Sequence, residues 1–125
     1  MRIVKLDEVA EYEAPAPYRR RAKLLIDFVT VGAKSCSMGI SFFDHGDKNP
    51  LHSHPTDEIQ YVMKGKGTFY TEKEAIELCE GAAIFIPSGE KHRLENLGKE
   101  TLWLLWVYAP PGEEAAIRKW AHKKT

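Results

Sequence analysis

Residues 46–65 read GDKNPLHSHPTDEIQYVMKG. Between two turn-forming glycines this stretch holds His52, His54 and Glu58, all able to ligate a metal. Residues two apart in a strand share a face. His52 and His54 are two apart, and Glu58 lies four beyond His54. An unbroken strand would therefore carry all of them on one side, with Pro55 as the residue expected to disturb the ladder. Two imidazoles and a carboxylate on one face suit a divalent first-row metal. Residues 81–96, GAAIFIPSGEKHRLEN, offer a further imidazole, His92. Ligands converging from two strands in this way would leave one or two positions open for water or a small molecule.

Outward from these stretches, the chain reads as short strands punctuated by glycine and proline. Residues 24–31 (LLIDFVTV) are rich in β-branched and apolar types and are expected to form a strand that Gly32 ends. Residues 37–43, 58–63, 68–71, 75–78, 82–86, 92–95 and 101–109 read as further strands. Their number and spacing predict an all-β sandwich or barrel over about 24–110. Residues 1–23 are expected to form an N-terminal arm, extended at Ala14-Pro15-Ala16-Pro17. Within it, Arg19-Arg20-Arg21-Ala22-Lys23 reads as a solvated basic face, with an anion contact or a subunit contact as the sharper alternative. A short C-terminal helix is expected over about 112–123, with acidic residues first, basic residues last and an apolar stripe through Ala116, Ile117, Trp120 and Ala121.

Composition sets the limits. The chain has 125 residues, enough for one domain with one core. Lys plus Arg equals Asp plus Glu, 18 each, so charge supplies no reason to expect nucleic acid or an anionic membrane as a partner. No apolar run approaches the roughly 20 residues of a membrane helix, and the acidic N-terminus does not resemble a signal peptide. A cytoplasmic location is expected. Cys36 and Cys79 form no CxxC pair and read as unbonded thiols.

The two stretches together resemble the paired motifs of the cupin family. In the first, Gly46, His52, His54, Glu58 and Gly65 stand at the motif's spacing; in the second, Gly81, Pro87, Gly89, His92 and Asn96 do. Fifteen residues, 66–80, separate them, a spacer like that of small single-domain cupins. The resemblance implies a double-stranded β-helix, or jelly-roll, barrel. It also implies one divalent transition metal (Fe, Mn, Zn, Ni, Co or Cu) held by His52, His54, Glu58 and His92, with the glycines, Pro87 and Asn96 serving structure.

Around this expected centre, Gln60 should face the interior with Glu58 and is the candidate for orienting a water, binding substrate or adding a ligand. Tyr61 should face out. Trp106 and Phe85 are candidate cavity walls, and His45 and His122 are expected bystanders. Lys64, Lys66, Lys91 and Arg93 sit in turns or face away from His92, which argues against a phosphosugar substrate. The metal would act as a Lewis acid on a small organic substrate, in dioxygenase or isomerase/lyase chemistry. The alternatives are a non-catalytic small-molecule binder or sensor, and a metal-bound structural dimer. A homodimer is expected from the N-terminal arm and the family resemblance.

Overall fold

The computed structural model describes residues 1–123. Its strands are β1 (Glu11–Ala14), β2 (Arg20–Ile26), β3 (Ser37–Phe43), β4 (Asp57–Lys64), β5 (Lys66–Thr71), β6 (Ala75–Cys79), β7 (Ala83–Ile86), β8 (His92–Glu95), β9 (Leu102–Ala109) and β10 (Ala121–Lys123). They form a larger antiparallel sheet in the order β10-β1-β2-β3-β9-β4-β7 and a smaller one in the order β6-β5-β8. Phe43, Val62, Leu102 and Leu104 of the larger sheet pack with Leu94 of the smaller, and Phe69 and Leu78 join them. The sheets therefore close face to face over one apolar core, the jelly-roll arrangement expected from the sequence.

Alternation along two central strands explains how one interior serves two purposes. On β4, Glu58, Gln60 and Val62 are buried while Ile59, Tyr61 and Met63 are exposed. On β9, Leu102, Leu104, Trp106 and Tyr108 point inward. The register pairs Val62 with Leu104, Gln60 with Trp106 and Glu58 with Tyr108. The inner face thus passes from apolar to polar along the strands. Val62 and Leu104 belong to the core, and Glu58 and Tyr108 lie at the mouth.

The strand expected over 24–31 ends at Ile26, and Phe28–Val31 forms a short helix, α1. Local capping overrides β-propensity here. Asp27 accepts a hydrogen bond from Thr30 N at 2.8 Å, and Asp27 N donates to Thr30 Oγ1 at 2.9 Å. Gly32 closes the turn at φ +74°, in the left-handed region. The short C-terminal helix is present as a 3₁₀ helix, Glu113–Lys119. It ends sooner than expected because Ala121–Lys123 pairs with β1 as β10. At the other terminus, residues read as an arm lie in the larger sheet as β1 and the start of β2. Val4, Leu6 and Val9 pack on the outer face of that sheet against Leu25, Ile40 and Phe42.

Candidate metal centre

His52 and His54 do not lie in a strand with Glu58. β4 begins at Asp57, and both histidines precede it in an irregular segment. Pro55 has no N–H to extend the ladder. A pair of backbone hydrogen bonds holds the segment instead: His52 N donates to His92 O at 3.1 Å and His92 N to His52 O at 2.9 Å. This isolated bridge binds the loop to β8 and sets the His52 and His92 rings 4.3 Å apart, centroid to centroid. Downstream, Gly89 N donates to His54 O at 2.8 Å and Ser88 Oγ to Pro55 O at 2.9 Å, tying the loop to the turn between β7 and β8. Gly89 takes φ +84° in that turn, which only glycine adopts without strain. The two motifs are therefore halves of one hydrogen-bonded unit.

Each histidine uses Nδ1 to hold its ring. Nδ1 of His52 lies 2.6 Å from Pro50 O, and that of His92 lies 2.8 Å from Glu90 O. Nδ1 of His54 lies 3.2 Å from Glu113 Oε2. An N–H bonded to oxygen at Nδ1 leaves Nε2 with its lone pair free. One ring nitrogen from each of His52, His54 and His92 falls in a group whose atoms lie within 4.8 Å of one another.

Glu58 completes the cluster from β4. Its Oε1 is 3.4 Å from both His54 Nε2 and His92 Nε2. Two ligands each about 2.1 Å from one tetrahedral ion stand about 3.4 Å apart. Neither contact is a hydrogen bond: His54 Nε2, His92 Nε2 and Glu58 Oε1 have no hydrogen-bond partner among the described residues. Gln60 Oε1 and Thr56 Oγ1 are also without one. Leaving a buried polar atom unpaired costs about 1–3 kcal/mol, more for a charged group. Donor atoms orphaned at ligand spacing fit a cation.

The electrostatics agree. Burial pushes the Glu58 carboxyl up, but His54, His92 and Gln60 outweigh burial and hold it at about 2. Gln60 Nε2 donates to Glu58 Oε2 at 3.0 Å, which orients the carboxylate and keeps Oε1 toward the histidines. Burial lowers the pKa of His52, reinforced by the neighbouring imidazoles and countered in part by the Pro50 carbonyl and Glu58. Burial also acts to lower that of His54, but Glu58 and Glu113 outweigh it and the net shift is upward. The two carboxylates thus favour positive charge at His54, and a cation at the cluster would stand where that proton does. Burial raises the Tyr108 phenol well above its ordinary value, reinforced by Glu58, so Tyr108 stays a hydroxyl.

Beside the cluster lies a cavity of about 260 Å³ lined by His52, His54, Glu58 and Gln60 on its polar side and by Phe43, Leu104, Trp106 and Tyr108 on its apolar side. Ala116, Ile117 and Trp120 of the C-terminal segment line it too, so these members of the expected apolar stripe pack over the barrel mouth, whereas Ala121 is exposed in β10. Trp106 is a wall, as the sequence suggests. Phe85 is not: it is 62% exposed on the outer face, opposite Ile59. Tyr61 faces out. Asn96 is fully buried and structural; its Nδ2 donates to Phe43 O and Glu100 O at 2.7 and 2.8 Å. His45 and His122 are exposed.

Glu113 escaped the sequence reading, and Arg20 is named there only within a basic run. Glu113 reads there only as an acidic residue in a first helical turn, and no local signal shows that the segment folds back onto His54. The run reads as a solvated basic face, with an anion or subunit contact as the sharper alternative. The solvated face fails for Arg20 because Arg19 and Arg21 project to one side, onto acidic partners, and Arg20 to the other, into the cavity. The signal was available, since Arg20 shares the parity of the buried Ala22 and Leu24.

A family model for the cupin domain (Cupin_2) matches residues 39–108. The chain belongs to the cupin family. It is 32% identical over 117 residues to the uncharacterized protein MJ1618 of Methanocaldococcus jannaschii, covering 89% of this chain and 90% of that one. Among solved structures, the polyketide cyclase RemF of Streptomyces resistomycificus superposes with a TM-score of 0.79 at 25% identity, over 89% of this chain and 80% of that one. A predicted oxalate decarboxylase of Thermotoga maritima superposes with a TM-score of 0.78 at 23% identity, over 88% and 100%.

Proposed function

We propose that this cupin holds one divalent transition metal through His52, His54, Glu58 and His92 and acts as a metal-dependent enzyme on a small organic substrate. The observation that carries the reading is the set of buried, unpartnered donor atoms at ligand spacing on the wall of a cavity. A metal bound there supplies Lewis acidity to a substrate oxygen. The protein's own groups do the rest. The Nδ1 contacts keep three imidazoles oriented, His54 and His92 with Gln60 hold Glu58 ionised, and Gln60 keeps it aimed. Tyr108 presents a protonated hydroxyl at the cavity wall, able to donate to a substrate oxygen as charge gathers on it. Phe43, Leu104 and Trp106 exclude water from the apolar side.

This architecture supports isomerase/lyase chemistry through an enolate and dioxygenase chemistry alike. Solved relatives include a named polyketide cyclase and a predicted decarboxylase. The test runs both assays on metal-loaded protein. Oxygen uptake with Fe(II) marks the oxygenase. Exchange of solvent deuterium into small carbonyl compounds, followed by NMR, marks the enolate chemistry. Silence in both assays with Fe, Mn, Ni, Zn, Co and Cu would replace the enzyme with a small-molecule binder.

The same reading includes a homodimer in the cytoplasm. Ile59, Tyr61, Met63 and Phe85 leave an exposed apolar area on the outer faces of β4 and β7, beside the part of the sheet that Val4, Leu6 and Val9 cover. Such patches mark interfaces. Light scattering should give twice the chain mass, and Ile59→Lys should halve it. Cys36 and Cys79 are free, as a reducing compartment requires. No helix among the described residues is long and apolar enough to cross a membrane.

A further inference from the structure

Arg20 is the only lysine or arginine among the described residues that lines the metal cavity. On β2 the register sets Arg21 opposite Phe42 and Ala22 opposite Ser41. Arg20 therefore falls on the inner face with Ser41 and Phe43, which line the same cavity. Its sequence neighbours are committed elsewhere. Arg19 Nη1 donates to Asp44 and Asp47 at 3.0 and 2.7 Å, and Arg21 to Glu11 and Asp44 at 3.2 and 3.0 Å. Arg20 makes no ion pair with any described residue. Its Nη1 donates to Tyr18 O at 2.6 Å, and its guanidinium stacks 4.7 Å from the Trp120 ring centroid. A guanidinium carries five N–H donors in a planar fork, so most of this fork has no partner among the described residues. Burial lowers the Arg20 pKa, in part countered by Tyr108 and Asp47, yet a guanidinium remains charged at neutral pH.

A fixed cation beside an apolar wall needs an anion, and the cavity's own carboxylates are otherwise engaged. Glu58 faces His54, His92 and Gln60, and Glu113 faces His54. A dication and one guanidinium set against two carboxylates leave the lining with one positive charge. The cavity, about 260 Å³, lies just below the roughly 300–1,000 Å³ of drug-sized sites. Trp106, Tyr108 and Trp120 offer flat apolar faces.

We infer that Arg20 anchors the carboxylate of the ligand, so that the site takes a small, flat monocarboxylate with its carboxylate on Arg20 and a neighbouring oxygen at the histidine cluster. This rests on the metal-dependent reading proposed above. A single fork pairs bidentately with a carboxylate. A phosphate, carrying more charge, would call for further cations that the described lining lacks.

The test uses 2-hydroxybenzoate and its uncharged counterpart 2-hydroxybenzamide on metal-loaded full-length protein. Binding is followed by quenching of tryptophan fluorescence, with metal content measured on the same samples. The wild type should bind the acid at least about tenfold more tightly than the amide, as a charge-assisted pair implies. Arg20→Gln should abolish that preference with metal content and amide affinity unchanged, and Arg20→Lys should restore part of it. Removing the metal should weaken both ligands together, which separates the metal's contribution from the arginine's. No preference in the wild type, or the same preference in Arg20→Gln, would overturn the role of Arg20 while leaving the metal reading standing. Wild-type protein without metal would instead overturn the reading beneath it.

Discussion

The two ends of the barrel interior are made from the same strands and obey opposite rules. At the closed end, Val62 of β4 and Leu102 and Leu104 of β9 meet Phe43 and Leu94 with no polar atom to satisfy. At the mouth, one turn of the alternation further along β4, Gln60 and Glu58 take the same inward positions. Burial is nearly equal, with Val62 at 0% and Glu58 at 3% exposed. Among the described residues, only the second end leaves buried side-chain nitrogens and oxygens unpartnered. Apolar packing at the closed end stabilises the fold. The mouth costs stability unless something supplies its missing partner, which is why it reads as a site.

The comparison breaks most visibly at the closed end. Leu102→Ala should cost about 2–5 kcal/mol by denaturant unfolding, because a fully buried leucine leaves a cavity behind. Metal content of the surviving folded fraction should not change. A loss of metal in that variant would show that the two ends are not independent.

Gly39 backs the wall of the mouth. A Cβ there would meet the Lys23 carbonyl oxygen at 2.6 Å and the indole of Trp106, its cross-strand partner. Gly39→Ala should cost about 1–3 kcal/mol as overpacking and should alter Trp106 fluorescence. Unchanged fluorescence and stability would mean that the cavity wall is not held against β3.

Within the mouth, Glu113 isolates orientation from ligation. Glu113→Gln keeps the shape and removes the charge beside His54 Nδ1. Metal affinity should fall by about 10–100-fold, as for other groups that orient a ligating histidine. The unfolding free energy of metal-free protein should hold. Competition with a chromophoric chelator measures the first, and urea titration the second.

The last effect lies outside both regions, at Asp27. Burial acts to raise its pKa, but Arg118 and Thr30 outweigh burial and the net shift is downward. Arg118 Nε lies 3.1 Å from Asp27 Oδ2, and Nη2 reaches the same oxygen. A depressed carboxyl contributes stability that is fully present above its unfolded pKa, about 3.9, and is lost as pH falls through the folded value. Arg118→Ala should therefore lower stability by about 1–3 kcal/mol at neutral pH, and the gap to wild type should close below about pH 4. A gap that persists in acid would assign the contribution of Arg118 to packing.

Much of this was legible in the sequence. Strands β3 to β9 follow from alternation and turn residues, and β8 and the start of β3 fall where expected. The His, Glu, Gly and Pro spacing located the cluster, and parity placed Gln60 inward and Tyr61 outward. What was not legible depends on closure. Strand parity did not place His52 and His54, because a backbone bridge to His92 holds His52 and a hydrogen bond from Gly89 N holds His54. Nothing near Glu113 announces that a 3₁₀ segment brings it to His54. The helix α1 hid behind β-branched residues, since its cap is a reciprocal pair of hydrogen bonds at Asp27 and Thr30 rather than a pattern of hydrophobicity.

The most direct measurement is the metal content of protein purified without chelators, with Glu58→Ala alongside. The wild type should carry close to one transition metal per chain. The variant should carry almost none while keeping a β-rich circular dichroism spectrum, and the chelator-stripped wild type should melt at lower temperature than the loaded form. A wild-type content near zero, or full retention in Glu58→Ala, would contradict the four-ligand centre.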